Sequence, residues 1–305
     1  MYFYFKYESM KIIRLAIALL LLNSCKAQNN TILLKTNNND NTLLWEVSGK
    51  GLSAPSYLFG TFHLICKDDI PFGEQLKLAV KSVKEIYMEL DMDDPATMMG
   101  GLLLMNMRGD STLKELFKPD EYKRVETFFN DSLHMSLAMF QSMKPFFLEA
   151  LLYPKMLPCK TMSGVEEELM KMAKENKKEI QGLETMAFQA SVFDSIPYKE
   201  QAQELLKTID SIETYKNYFN AIVKVYKSQQ LNKLQEALSD TAFNVVADNQ
   251  DILLDKRNKN WVTQLNTIMK KESVFVAVGA GHLVGDMGLI ALLRKEGYTV
   301  RPIKN

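Results

Sequence analysis

The chain has 305 residues, 47% hydrophobic and 24% charged, an ordinary globular balance for one large domain or two small ones. Lys+Arg and Asp+Glu both total 37, so the formal net charge is zero. With no basic stripe interleaved with aromatics, that balance excludes nucleic acid as the expected partner.

Residues 1–27 read as an export leader. Lys11 and Arg14 precede the apolar run LAIALLLL, which is too short to span a bilayer but right for the core of a signal. It ends in Leu22-Asn23-Ser24-Cys25, which resembles a bacterial lipobox with Cys25 as the lipidated residue. Asn23 is unusual there, and cleavage after Ala27 is the rival reading; the small residue directly before cysteine favours lipidation. The chain is therefore expected to be exported and held in the cell envelope by a lipid anchor, facing the periplasm. Removing Cys25 leaves Cys66 and Cys159, which are expected to pair in an oxidising compartment; two separate buried thiols are the alternative.

Residues 28–42 are Asn-rich and read as a tether, so the folded domain should run over 43–305. LLWEVSG and SYLFGTF read as a hairpin, followed by a helix through Leu76, Ala79, Val80 and Val83 and a strand EIYMELDM. Residues 96–108 and 119–140 read as helices with Met-rich faces that fill core gaps. Ser163 and Glu166 form a capping-box pattern at the next helix. EIQGLE at 179–184 reads as a strand, and 198–238 and 251–271 as long amphipathic helices. SVFVAVGAG (strand), GLIALLRKEG (helix, ended by Gly297) and YTVRPI (strand) close the chain. The expected class is α/β: a central mixed sheet from N- and C-terminal strands, flanked by helices, with a large helical insertion at about 96–270.

The chemistry lies in a repeated device. YLFGTFHL and FVAVGAGHLVG both end an apolar strand in Gly-x-x-His, using His63 and His282, two of the three histidines in the chain. Ligands of α/β sheets bind at the carboxyl ends of strands, so neighbouring strands would bring both imidazoles to one site. Gly60 and Gly279 are expected to turn the chain there. Glu89, at the end of the next strand, supplies a carboxylate for a metal-ligand set or for acid–base work. Glu184 ends the fourth strand, as a support for a histidine or as a helix N-terminal charge. Arg257 and Asn258 sit on a helix, with Trp261 on the same face as Arg257, a spacing that also suits a plain cation–π pair. His134 is isolated and reads as structural.

Taken together, LWEVSG, SYLFGTFHL, EIYMELD, QGLE, KRN and the closing GAGHLVGDMGL unit resemble the TraB/GumN (TraB/PrgY) family from about residue 43 to 303. That family is similar to the Tiki metalloproteases and, distantly, to the erythromycin esterase and ChaN group. The resemblance implies His63, Glu89 and His282 as a catalytic or metal-binding set, with Arg257 and Asn258 beside them and a divalent cofactor, Mn or Co, with Zn as another candidate. The expected function is a metal-dependent hydrolase, a peptidase of the envelope acting on a peptide or small molecule. In it Glu89 is ligand or base, and Arg257 or Asn258 an oxyanion donor. A non-catalytic ligand-binding lipoprotein and a metal-free esterase-like hydrolase are the alternatives.

Overall fold

The computed structural model describes residues 41–238 and 249–305. The leader, Cys25 and nearly all of the tether lie outside the described residues. Two compact units are present: one of helices, from residues 94–160 and 185–221, and one holding the sheets, whose described parts are 41–93, 161–184, 222–238 and 249–305.

The sheet unit is built on six strands: β1 (Leu44–Ser48), β2 (Ser56–Thr61), β4 (Glu85–Leu90), β6 (Ile180–Glu184), β7 (Val274–Gly279) and β8 (Thr299–Ile303). Their order is β6-β4-β7-β2-β1-β8, a mixed sheet. β6, β4, β7 and β2 run parallel, and β1 and β8 complete the other side antiparallel. β7 is buried at every position, as the continuous apolar run VFVAVG requires of a strand covered on both faces. β8 is an edge, and its Pro302 and exposed Arg301 suit a strand that must not recruit another chain. Helices flank this sheet, so the architecture is α/β as expected. Because the four parallel strands share one direction, all four carboxyl ends lie along one edge.

Two further strands, β3 (Ile65–Cys66) and β5 (Met162–Ser163), pair antiparallel in a small second sheet. At two residues each they are too short to carry a readable period in the sequence. The region expected as one helix over 198–238 is three: Tyr198–Asp210, Ile212–Lys227 and Leu231–Leu238. The 251–271 region opens with a π-helical turn, Asp251–Asp255, before the α-helix Lys256–Lys271.

The helical unit packs Phe146, Phe147 and Phe193 around one centre, with ring centroids 4.6 Å apart for Phe146–Phe193 and 5.1 Å for Phe147–Phe193. It also buries Glu149, which accepts a hydrogen bond from the Thr208 hydroxyl at 3.0 Å. Burial, then the charge of Glu204, pushes Glu149 up to about 7 from its ordinary 4.5. The folded state thus holds this proton more tightly than the unfolded chain. Its stabilising contribution is complete below the unfolded value and is lost as pH rises through about 7. Between pH 5 and pH 8 the loss should be on the order of 3 kcal/mol. Glu149→Gln should remove most of that pH dependence, as read by thermal midpoints of both proteins at the two pH values.

Candidate functional site

His63 follows β2, Glu89 lies near the end of β4, Glu184 ends β6 and His282 follows β7. In register, Thr61 pairs with Gly279 and Leu90 with Glu184, so these residues stand side by side along the sheet edge. The helix Lys256–Lys271 lays Arg257, Asn258 and Trp261 against them, all buried. All these residues lie in the sheet unit.

Gly60 and Gly279 do not take the left-handed conformation expected of them; neither is among the glycines with positive φ. Gly60 is needed for close approach, since a Cβ there would sit 3.0 Å from the Ala280 Cβ and from a Leu283 methyl. Gly279 contributes its N–H, which donates to Glu89 Oε1 at 2.9 Å. The Tyr226 hydroxyl donates to the Gly60 carbonyl at 2.9 Å, and its ring rests on Phe62 with centroids 5.0 Å apart.

Arg257 is the hub. Its Nε donates to both oxygens of Glu184 (3.0 and 3.1 Å), and Nη2 donates to Glu184 Oε2 (2.8 Å) and Glu89 Oε2 (2.7 Å). Nη1 donates to the Leu253 carbonyl (2.9 Å) and faces His282 Nε2 (3.2 Å). Five N–H groups are thereby all engaged. Burial opposes the charge of Arg257, but Glu89 and Glu184 more than offset it, and its pKa is raised. Glu184 is raised by burial, with Arg257 pulling it back. The expected cation–π contact is present, with the guanidinium carbon 4.8 Å from the Trp261 ring centroid. Trp261 also lies against the His282 ring at 4.4 Å.

The tautomer of His282 follows from Asn258. The Asn258 amide donates to the carbonyls of His282 (3.3 Å) and Met287 (2.8 Å), which orients its Oδ1 as an acceptor 2.6 Å from His282 Nδ1. His282 Nδ1 therefore carries the hydrogen, and Nε2 offers its lone pair to Arg257. Burial first, then the charges of Arg257 and His63, holds His282 well below the usual histidine range, so it is neutral. In this arrangement the N–H groups of Arg257 and of the Asn258 amide, expected as oxyanion donors, are all directed at protein acceptors.

One site residue was hidden in the sequence. Glu166 Oε1 lies 2.5 Å from His63 Nδ1. That oxygen makes no well-directed hydrogen bond despite the short approach. The capping box that Ser163–Glu166 suggested is absent: Gly164 is the N-cap and Ser163 Oγ bonds the Glu168 carboxylate at 2.9 Å. The β3–β5 pairing instead delivers Glu166, with Val165 N–H donating to the Phe62 carbonyl at 3.1 Å. Burial, then the charge of Glu89, pushes Glu166 up to about 7, with the Thr61 hydroxyl pulling it back. Burial, then Arg257, holds His63 down at about 3. Gly164 permits this approach, because a Cβ there would lie 2.7 Å from the His63 carbonyl oxygen. Backbone cannot yield cheaply, so Gly164→Ala should cost ~1–3 kcal/mol in chemical denaturation and displace Glu166.

A divalent cation takes uncharged imidazole nitrogen and carboxylate oxygen. His63 Nε2 meets that requirement: it is buried, neutral and without a hydrogen-bond partner. The carboxylate of Glu166 lies against the same ring. On the other side the guanidinium already takes His282 Nε2 and Glu89 Oε2, and His282 Nε2 lies 3.9 Å from Glu89 Oε1. Among the described residues no three His, Cys, Asp or Glu side chains form a ready ligand set. His63 Nε2 is thus left without a partner where an ion could bind, whereas His282 Nε2, expected as a ligand, faces Arg257 Nη1. Cys66 and Cys159, expected to pair, are both disulfide-bonded. His134 is exposed in the helical unit, outside this cluster.

The pattern of the TraB/PrgY/gumN family matches residues 43–302. Among curated proteins, Metalloprotease TIKI2 of Danio rerio is 23% identical, over 85% of this chain and 60% of its own length. Metalloprotease TIKI homolog of Amphimedon queenslandica is 22% identical over 87% and 62%, and Metalloprotease TIKI2 of Xenopus tropicalis 24% over 85% and 59%. The chain thus spans about three-fifths of the length of these relatives. No solved structure matches it.

Proposed function

Since this chain belongs to the TraB/PrgY/gumN family, we propose that it is a metal-dependent hydrolase, a peptidase of the cell envelope. The observation that carries the reading is His63: a neutral imidazole whose Nε2 is buried without a partner while its Nδ1 meets a carboxylate. His63 would hold the ion, with Glu166 against the same ring and Glu89 as a further candidate carboxylate. When bound, a divalent ion supplies Lewis acidity and a more acidic water. Mn or Co is the ion we propose.

The remaining residues do the positioning. Glu184 fixes Arg257 through both carboxylate oxygens, and Arg257 fixes Glu89 and His282. Asn258 sets the His282 tautomer. Glu166 or Glu89 takes the proton from the attacking water, within reach of the His63 edge. His282 is fully buried, whereas the His63 side chain keeps 12% exposure, so substrate approaches from the His63 side. Export and lipidation at Cys25 belong to the same proposal, supported by the leader sequence.

The test combines elemental analysis with cleavage of a peptide library, on the mature chain and its His63→Ala variant. Stoichiometric divalent metal, lost in His63→Ala, and cleavage that chelator abolishes and Mn or Co restores are the expected results. Undiminished cleavage by metal-stripped protein would instead establish a metal-free hydrolase using the His63–Glu166 pair. Metal-loaded protein that binds peptides and cleaves none would make it a binding lipoprotein.

A further inference from the structure

We propose that the helix Pro95–Leu104, together with Phe188 of the neighbouring helix Met186–Asp194, docks this chain against a lipid bilayer. The proposal rests on the envelope-anchored reading above. A helix at a protein surface ordinarily turns a polar face outward. Pro95–Leu104, PATMMGGLLL, has no charged residue. One face is spent inward: Gly101, Leu104 and Met105 line a small apolar pocket with Met186, Ala190 and Phe193. A Cβ on Gly101 would meet the Met186 terminal methyl at 3.0 Å. The outward face is apolar as well. Met99 and Leu103, one turn apart, are 74% and 78% exposed, and Phe188 is 43% exposed. Of the five large exposed hydrophobic side chains among the described residues, three are on this pair of helices. Single exposed apolar residues need no explanation, but a cluster does.

The patch is held rigid from below. Lys144, 1% exposed, donates from Nζ to the Leu104 carbonyl (2.7 Å) and the Ala190 carbonyl (3.3 Å), and pairs with Asp194 Oδ1 at 2.9 Å. A buried ammonium is costly unless fully partnered. Here it stitches the two helices together, so the outward face is a fixed surface. Asp194 also binds Arg108 Nε at 2.8 Å, and the Arg108 side chain is mostly exposed.

Chain outside the described residues identifies the occupant. Residues 1–40 contain the apolar run LAIALLLL and Cys25, and the fold begins with β1 at Leu44. Only about twenty residues separate Cys25 from Leu44, so a lipid on Cys25 would hold the fold near the bilayer surface.

Leu103→Trp provides the test. The native Trp45 and Trp261 are 2% and 0% exposed, so neither meets a quencher carried on lipid. The full chain is placed on phosphatidylethanolamine–phosphatidylglycerol vesicles with brominated acyl chains, beside a Leu78→Trp chain whose reporter replaces an exposed leucine of the sheet unit. Both chains should float with the vesicles. Emission at position 103 should shift to the blue and lose most of its intensity to bromine, and emission at position 78 should do neither. Floating chains with position 103 unquenched would overturn docking and leave anchoring in place. A blue shift at 103 without bromine quenching would also overturn it, in favour of a protein partner such as a second copy. Equal quenching at both positions would deny any preferred face. Chains that stay in solution would overturn docking and anchoring together.

Discussion

Arg257→Met should abolish turnover and destabilise the sheet unit by ~3–5 kcal/mol, the range for removing one partner of a buried ion pair. Methionine keeps much of the volume, so the loss isolates the charge and its hydrogen bonds. Glu89 and Glu184 would be left buried with no cation, and His282 Nε2 with no donor. Without Arg257 the Glu184 carboxyl loses the charge that pulls it back and titrates at still higher pH in the folded state. The variant should therefore recover as pH falls and Glu184 is protonated, and lose further stability as pH rises. At pH 8 the thermal midpoint should drop by on the order of 10 °C. Arg257→Lys keeps the charge but not the planar fork, so it should restore part of the stability and little of the activity. Arg257→Met combined with Glu184→Gln should be more stable than Arg257→Met alone, since one stranded charge is gone. A tolerated, active Arg257→Met would refute the hub assignment.

Glu166→Gln should lower peptide cleavage by about 10²–10⁴-fold while leaving the fold intact, the usual span for removing a positioned proton-transfer group. Glutamine retains size and a polar group toward His63 but carries neither a titratable proton nor a negative charge. Glu168→Gln is the matched control, two residues away on the same helix and directed to Ser163 and Lys171 instead. It should leave cleavage within a few-fold of wild type. Equal activity of Glu166→Gln and wild type would return Glu166 to a structural role.

Much of the sheet edge was legible because each component carried its own local signal. β2 and β7 are apolar runs that lead through a glycine to a histidine just beyond the strand, and β4 and β6 carry glutamates next to or at their ends. Parallel strands then place all four ends on one edge. Glu166 was not legible: it occurs in GVEEEL, where three successive acids at a helix start satisfy the helix dipole equally well and nothing marks one as turned inward. The pairing that turns it, between β3 and β5, is two residues long on each side and too short for any period. The saturation of Arg257 was equally hidden, since it needs Glu89, Glu184, Leu253 and His282 together in three dimensions.

The strand order fixes when this chain can acquire its chemistry. β7 lies between β2 and β4, yet Glu89 and Gly279, bonded in the finished sheet, are 190 residues apart in the chain. Until β7 is made, β2 and β4 each carry an open parallel edge whose proper neighbour does not exist. Long-range parallel pairing of this kind is slow and exposes apolar strands in the meantime. An N-terminal fragment ending before β7 therefore has no partial site; it has two sticky edges. Under the proposed reading of an exported hydrolase, that delay would keep the polypeptide threadable through translocation, with the site complete only once β7 slots in.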